Sequence, residues 1–318
     1  MAHQHISSNK VRLSPLRKPL FITAAAATLL PVVSPPVALL LGIALAQTTG
    51  NPYAQLTRRT TQWLLQLSVI GLGFGMNAHQ AFQAGRAGLF LTIASIAATL
   101  LLGYLLGKIL GIDKNTSHLV SSGTAICGGS AIAAIAPVVK ANDKQLSVSL
   151  GIIFLLNSVA LFLFPVLGHL LHLSQTQFGL WSAIAIHDTS SVVGAAGKYG
   201  PEALQVATMV KLSRALWIIP VSLLTGLLFR NGKSKIKIPW FIGLFVIAML
   251  LNTFFPLGHV SYTLTSAAKT GLSLTLFLIG SNLSREILSG IGWKPLLQGV
   301  LLWVFISTTT LMAIIFLQ

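Results

Sequence analysis

Apolar residues run through this chain in long blocks separated by short polar or proline-rich joints, and eleven such blocks can be marked. They lie at Leu20–Val33, Val37–Thr48, Thr60–Met76, Ala87–Leu110, Ser117–Val139, Gln145–Leu171, Phe178–Gly197, Ala203–Phe229, Pro239–Phe255, Thr263–Asn282 and Lys294–Leu317. Several reach the ~20 residues that a bilayer-spanning helix needs. Strand-like alternation over ~10-residue segments is absent, which argues against a membrane barrel. The pattern predicts an all-α polytopic membrane protein with about ten or eleven transmembrane helices. Residues 1–19 read as a basic cytoplasmic tail and 20–318 as a single transmembrane domain.

Two blocks are interrupted. The fifth contains SSGTAICGGSAIAAIAPVVK, residues 121–140. Each unpaired backbone group in lipid costs several kcal/mol, so a break is tolerated only inside protein or beside a water cavity. Adjacent glycines and hydroxyls predict a helix that stops near Gly123, a short extended piece across Thr124, Cys127, Gly128 and Gly129, and a new helix over Ala131–Val139 capped by Ser130. The dipole end of that half-helix suits an anion. The competing reading is one continuous helix whose small residues allow close packing. The seventh block contains AIAIHDTSSVVGAAGKYG, residues 183–200. There Asp188-Thr189-Ser190-Ser191 reads as an N-cap signal. An acid inside a span is a functional candidate, and His187 beside it is a candidate proton carrier; each also has a purely structural reading.

The eighth block carries Lys211 and Arg214, three residues apart and so on one helical face, about eight residues into the span. Two buried cations need partners. Asp188 can neutralise one, and the unmatched charge points to an anionic ligand; the alternative is that both reach headgroups. Asn157 is expected to bond a neighbouring helix, and Asn77 and Asn282 to sit at helix ends or line a pathway.

Composition fits this picture. The chain of 318 residues is 54% hydrophobic and 8% charged, with mean hydropathy +0.81. Soluble domains carry about 25% charged residues. The net charge of +16 sits mostly between the apolar blocks, where the positive-inside rule and anionic lipid account for it without nucleic acid. The distribution favours a cytoplasmic N-terminus and an outer C-terminus. Cys127 is the single cysteine, so no disulfide forms within the chain. No nucleotide loop, metal-ligand motif or CxxC occurs, and no cofactor or metal site is expected; His3 and His5 read as tail residues. Adjacent His187 and Asp188 point apart, so a hydrolase triad with Ser190 or Ser191 is a poor reading, and no enzyme is expected. Weak repetition links Gly75, Asn77 and Gly85 to Gly280, Asn282 and Gly290 at a constant offset of 205 residues, whereas the two interrupted blocks lie about 60 apart.

The stretches SSGTAICGGSAIAAIAPVVK, AIAIHDTSSVVGAAGKYG and KLSRALWIIP resemble the YeiH family of bacterial inner-membrane proteins, commonly labelled sulfate exporters, over nearly the whole chain from Pro35 onward. The family is placed near the cation:proton antiporter and bile-acid:sodium symporter group. The resemblance implies inverted repeats, a core with crossing discontinuous helices, a panel domain and frequent dimers. The expectation is a secondary transporter exporting a small oxyanion such as sulfate or sulfite across the inner membrane. Thr124, Cys127, Gly128, Gly129, Ser130, Thr189, Ser190, Ser191, Lys211 and Arg214 would hold the anion, with His187 or Asp188 coupling protons. The alternatives are a sodium- or proton-coupled carrier with Asp188 as its cation site, and a scaffold that transports nothing.

Overall fold

The computed structural model describes residues 17–30, 33–229, 240–255, 257–285 and 289–317, with the side chains at 58, 80–89, 143 and 317 excepted. The tail through residue 16, Arg230 to Lys237 and Glu286 lie outside the described residues. All eleven apolar blocks contain helix, and no strand occurs among the described residues. The helices are α1 (Arg17–Ala27), α2 (Pro35–Thr48), α3 (Ala54–Gly73), α4 (Ala78–Ile109), α5 (Lys114–Ala125), α6 (Gly129–Ile135), α7 (Asp143–Leu170), α8 (Gln175–Ala185), α9 (Thr189–Tyr199), α10 (Pro201–Leu216), α11 (Ile218–Leu228), α12 (Trp240–Phe254), α13 (Gly258–Ser281) and α14 (Trp293–Leu317). Arg17 to Pro19 thus belong to a helix rather than to the expected tail. Among the described residues four stretches are long and apolar enough to cross a bilayer: Phe90–Ile109, Lys144–Leu170, Pro201–Leu228 and Trp293–Phe316. The chain is a helical, multi-pass membrane protein.

Both interrupted blocks are broken, and each folds back on itself instead of crossing. Gln145 at the start of α7 donates to Asp113, the N-cap of α5, at 2.7 Å, so the roots of α5 and α7 share one face of the molecule. Between them the chain turns at Gly128, whose φ of 63° and ψ of −125° only glycine adopts easily, and α6 returns toward its starting face. Gly123 of α5 consequently packs on Ile132 of α6. A continuous helix would hold those residues nine positions apart, about 13 Å. The second hairpin has the same form. The ring of Tyr199, the last residue of α9, stacks on Phe178 near the start of α8 at 3.8 Å, and its hydroxyl donates to Leu173 O at 2.6 Å. Gln175 at the root of α8 accepts from the backbone of Glu202 in α10 at 3.0 Å.

The α7 helix has 28 residues, about 42 Å, and separates the two roots. Hairpin 1 (α5–α6) therefore enters from one face, here face A, and hairpin 2 (α8–α9) from the opposite face B. With 12 residues α5 reaches about 18 Å, roughly the middle of a 30 Å hydrocarbon layer. The tips meet there: a side chain at Gly128 would abut the backbone of His187. The crossing arrangement implied by the resemblance is thus replaced by two opposed re-entrant hairpins. The reason is local: Gly128 permits a reversal that a rod would not contain.

This arrangement reconciles the two sequence offsets. Exchanging α2 with α12, α3 with α13, α4 with α14, hairpin 1 with hairpin 2, and α7 with α10–α11 maps contacts onto contacts. The α2–α13 contact becomes α12–α3, the contacts of α4 with α5 and α10 become those of α14 with α8 and α7, and α5–α7 becomes α8–α10. Chain order is α2-α3-α4-hairpin-α7 in one unit and hairpin-α10/α11-α12-α13-α14 in the other. The second unit is a circular permutation of the first. Equivalent positions therefore lie 60 apart at the tips (Ala125-Ile126 and Ala185-Ile186) and 205 apart at the ends of α3 and α13. Asn77 and Asn282 both serve helix ends: Asn77 accepts from His79 N, and Asn282 accepts from Asn51 and Thr57.

The helices fall into two groups. α2, α3, α12 and α13 pack chiefly on one another, while both hairpins pack with α4, α7, α10 and α14. Gly42 of α2 and Gly280 of α13 lie against the partner helix backbone, a close approach that any larger residue would prevent.

Cysteine accessibility tests the hairpins. Lys114→Cys and Lys144→Cys should react with an impermeant thiol reagent from the same membrane face, and Lys198→Cys from the other; native Cys127, 3% exposed, supplies the unlabelled control. Labelling of positions 114 and 144 from opposite faces would contradict the fold-back.

Candidate functional site

A helix that ends inside the membrane leaves its last carbonyls without intrahelical donors. Here α5 and α8 both end at mid-depth, and α10 answers both. Lys211 is the eleventh residue of α10, about 15 Å from its start, and Arg214 lies one turn further; both are 0% exposed. Lys211 Nζ donates to Ile186 O at 2.6 Å, Ala183 O at 3.2 Å and Ile126 O at 3.4 Å. An ammonium has three donors and no acceptor, so this set saturates it. Arg214 donates through Nε to Ile126 O at 3.4 Å, through Nη2 to Ala125 O, and through Nη1 to Ser95 Oγ of α4 at 2.7 Å. The negative dipole ends of two half-helices are thus tied together by two cations from a third helix.

The positive ends are treated unequally. At α9, Asp188 is the N-cap, as expected from the sequence. Its carboxylate accepts from Ser190 N at 3.2 Å, Ser191 N at 3.1 Å, Ser190 Oγ at 2.6 Å and Ser191 Oγ at 2.8 Å. Oδ2 takes three of these bonds and Oδ1 one, so one acceptor site of the carboxylate, on Oδ1, stays open. Asp188 therefore spends its oxygens on its own helix and forms no ion pair with Lys211, the pairing considered from the sequence. At α6 the N-cap is Gly128, not Ser130: α5 runs to Ala125 before the turn, so α6 begins at Gly129, ends at Ile135, and carries Ser130 exposed in its first turn. No side chain caps it.

Around the tips, several polar atoms are buried without partners. They are the Thr124 hydroxyl on hairpin 1, the Asn157 amide nitrogen on α7, and both ring nitrogens of His187 on hairpin 2. Asn157 and His187 are joined directly, since His187 N donates to Asn157 Oδ1 at 3.0 Å. A buried donor left unpaired costs about 1–3 kcal/mol, so these groups are poised for a ligand or water. Cys127, in the turn of hairpin 1, is a buried free thiol.

Of the predicted residues, the structure gathers Thr124, Cys127, Gly128, His187, Asp188, Ser190, Ser191, Lys211 and Arg214 in the buried centre and leaves Ser130 exposed; Gly129 and Thr189 are half-buried. Sequence reasoning missed Ser95, a polar residue inside the apolar run of α4, and Gln298 of α14, whose Nε2 donates to Ser117 Oγ and Ser121 Oγ of hairpin 1 and to Gly103 O of α4. Further out, the roots of hairpin 1, α7 and α14 frame a cleft of about 370 Å3 on face A, with Asp113, Thr116, Asn142 and Lys144 beside Val148 and Pro295 in its wall.

The family model described as Conserved hypothetical protein 698 matches residues 20–314. The chain belongs to the UPF0324 membrane protein family. This is the same family as YeiH, so the resemblance seen in the two hairpin motifs holds across the chain. The UPF0324 membrane protein of Bacteroides thetaiotaomicron is 53% identical over 287 residues, covering 89% of this chain and 87% of that one. The family member of Bdellovibrio bacteriovorus is 51% identical over 316 residues, covering 97% and 96%. That of Porphyromonas gingivalis is 50% identical over 286 residues, covering 88% and 86%. No solved structure matches.

Replacing Lys211 tests the carbonyl clasp. Lys211→Met should lower stability by about 3 kcal/mol, because Ala183 O and Ile186 O of hairpin 2 lose their donor and the tie to Ile126 O of hairpin 1 is left to Arg214. Asp188→Asn should cost about 1 kcal/mol, since asparagine caps a helix nearly as well. Thermal unfolding in detergent gives both values, and a larger loss for Asp188→Asn would contradict the assignment.

Proposed function

We propose that this protein is a secondary transporter of a small inorganic oxyanion, such as sulfate or sulfite, bound where the two hairpin tips meet. One observation carries the reading. In a fully buried centre, Lys211 and Arg214 stand against a single carboxylate, Asp188, while the donors of Thr124, Asn157 and His187 have no partner. An anion there would take those donors and balance the surplus charge. Lys211 and Arg214 act through potential, because their hydrogens are committed to carbonyls. Direct contact falls to Thr124, Asn157, His187 and the Gly129 amide at the start of α6, since Gly128 N already donates to Gly123 O. With Asp188 Oδ2 committed to three bonds, a sodium site on that carboxylate has only Oδ1 to draw on and so has less support.

Opposed re-entrant hairpins fit transport because their tips are reached from opposite faces of the membrane. The chain would sit in the bacterial inner membrane with face A cytoplasmic. Arg59, Lys108, Lys114, Lys140, Lys144, Arg285 and Lys294 lie toward face A, and Lys198 toward face B. The fold-back moves Lys140 and Lys144 onto face A and sharpens the asymmetry that the positive-inside rule reads.

The test is radiolabelled sulfate or sulfite flux in proteoliposomes. Flux should be present in the native protein and fall about tenfold or more in each of Thr124→Val and His187→Ala, the loss expected when one hydrogen bond to a charged group goes. Thermal unfolding must show that these variants remain folded. Flux of sodium or protons that ignores all oxyanions, and needs Asp188, would favour the cation-coupled alternative. No flux of any small ion by folded protein would leave a scaffold.

A further inference from the structure

One charged residue is used by neither the clasp nor the helix ends. Lys269 is the twelfth residue of α13, a helix of 24 residues, and it is exposed. It lies about 16 Å from the start of the helix at face B, beyond the reach of a lysine side chain. Exposed neighbours on this half of the helix include Val260, Tyr262, Thr263, Leu264, Ser266 and Ala267, a face that mixes polar and apolar groups. They contrast with α12, which packs on the same helix α3 yet exposes Leu244, Val246, Ile247, Leu250 and Leu251. The face of α12 suits lipid. The first half of α13 suits it less, and α13 is long enough to span but is not among the stretches apolar enough to do so. A cation at mid-depth in hydrocarbon costs about 3 kcal/mol or more. Among the described residues Lys269 has no ion-pair partner.

Its position in the fold says what it faces. Ala268 lies against Gly71 of α3 in a cluster shared with Val193 of α9 and Leu204 of α10, and Leu276, two turns on, meets Gly194 of α9. Lys269 is seven residues before Leu276 and so on nearly the same face of the helix, which sets it along the seam between α13 and hairpin 2. Short α2 covers the other half of α13, at Phe277, Gly280 and Ser281, and leaves this half open.

We infer that the exposed face around Lys269 lines a water-filled crevice open to face B, in which Lys269 binds a small oxyanion beside hairpin 2. This extends the proposed transport reading by adding an outer anion site, and it rests on that reading for its purpose. The crevice itself is testable without transport. A thiol placed by Ser266→Cys lies three residues from Lys269, on the neighbouring turn. It should react with impermeant methanethiosulfonates added at face B, with native protein as the unlabelled control. The anionic reagent should be favoured over the cationic one, and that preference should fall about fivefold in Lys269→Gln, the size expected for one unit charge about 7 Å away in water. Sulfate at millimolar concentration should slow the labelling in the Lys269 background only. No reaction with impermeant reagents would mean the face is covered by lipid, and disulfide formation between copies would mean it is covered by a second chain; either overturns the inference. A preference unchanged by Lys269→Gln, or labelling that sulfate does not slow, overturns the anion site. Labelling as expected without any sulfate flux keeps the crevice and removes the transport reading.

Discussion

Two helix ends pointing at each other in the middle of a membrane would repel and would strand their carbonyls. Lys211 and Arg214 of α10 remove both problems with one device. They donate to Ala125, Ile126, Ala183 and Ile186, the last carbonyls of α5 and α8. Both hairpin tips depend on this clasp, because non-helical backbone at this depth survives only when its polar groups are satisfied. The clasp also explains how two cations can be fully buried. Each sits where the backbone supplies fixed negative dipoles, so the desolvation penalty is met by carbonyls rather than by a carboxylate.

The permuted two-fold relation shows that the clasp is asymmetric by design. Each unit supplies a hairpin followed by a long helix, and the tips share the pattern Ala-Ile before the turn, at 125–126 and 185–186. The long helices differ. α10 contributes Lys211 and Arg214 to the centre, whereas α7 contributes Asn157, which fixes the turn of hairpin 2 through His187 N. The turns differ too. Hairpin 1 reverses through Gly128 and leaves its returning helix uncapped, and hairpin 2 reverses through an extended His187-Asp188 pair that caps its own. Repeated architecture thus carries an unrepeated charge distribution, and the surplus at the centre is positive.

Much of this was legible in the sequence. Apolar blocks located the helices, because burial in lipid leaves a continuous signal, but missed polar first turns by up to nine residues, as at α4, which begins at Ala78 rather than Ala87. Both breaks were legible as well: Asp188-Thr189-Ser190-Ser191 reads as a cap wherever it stands, and the structure uses it as one. The direction of the chain after each break was not legible. Whether a helix resumes or turns back depends on Gly128 at positive φ and on contacts between residues far apart, such as Asp113 with Gln145. No local pattern encodes those. The partners of Lys211 and Arg214 were hidden for a related reason: a sequence shows side chains, and the clasp is closed by backbone oxygen. Lys269 was visible in the tenth block, but its meaning rests on which neighbours fail to cover it.

The engagement of the central charges bears on what can bind there. A substrate cannot take the hydrogens of Lys211 without breaking the tips apart, nor Oδ2 of Asp188 without loosening the cap of α9. What remains free is a hydroxyl, an amide nitrogen and an imidazole, groups that can each donate, the hydroxyl and the imidazole being able to accept as well. A cation needs several strong acceptors, and the one carboxylate at the centre has three of its four acceptor sites on Oδ2 and Oδ1 engaged by α9. An anion needs donors and positive potential, and both are present while the clasp stays closed. Selectivity would then come from the neutral groups at the tips, with the two cations setting the sign of the site and the fold in which it sits.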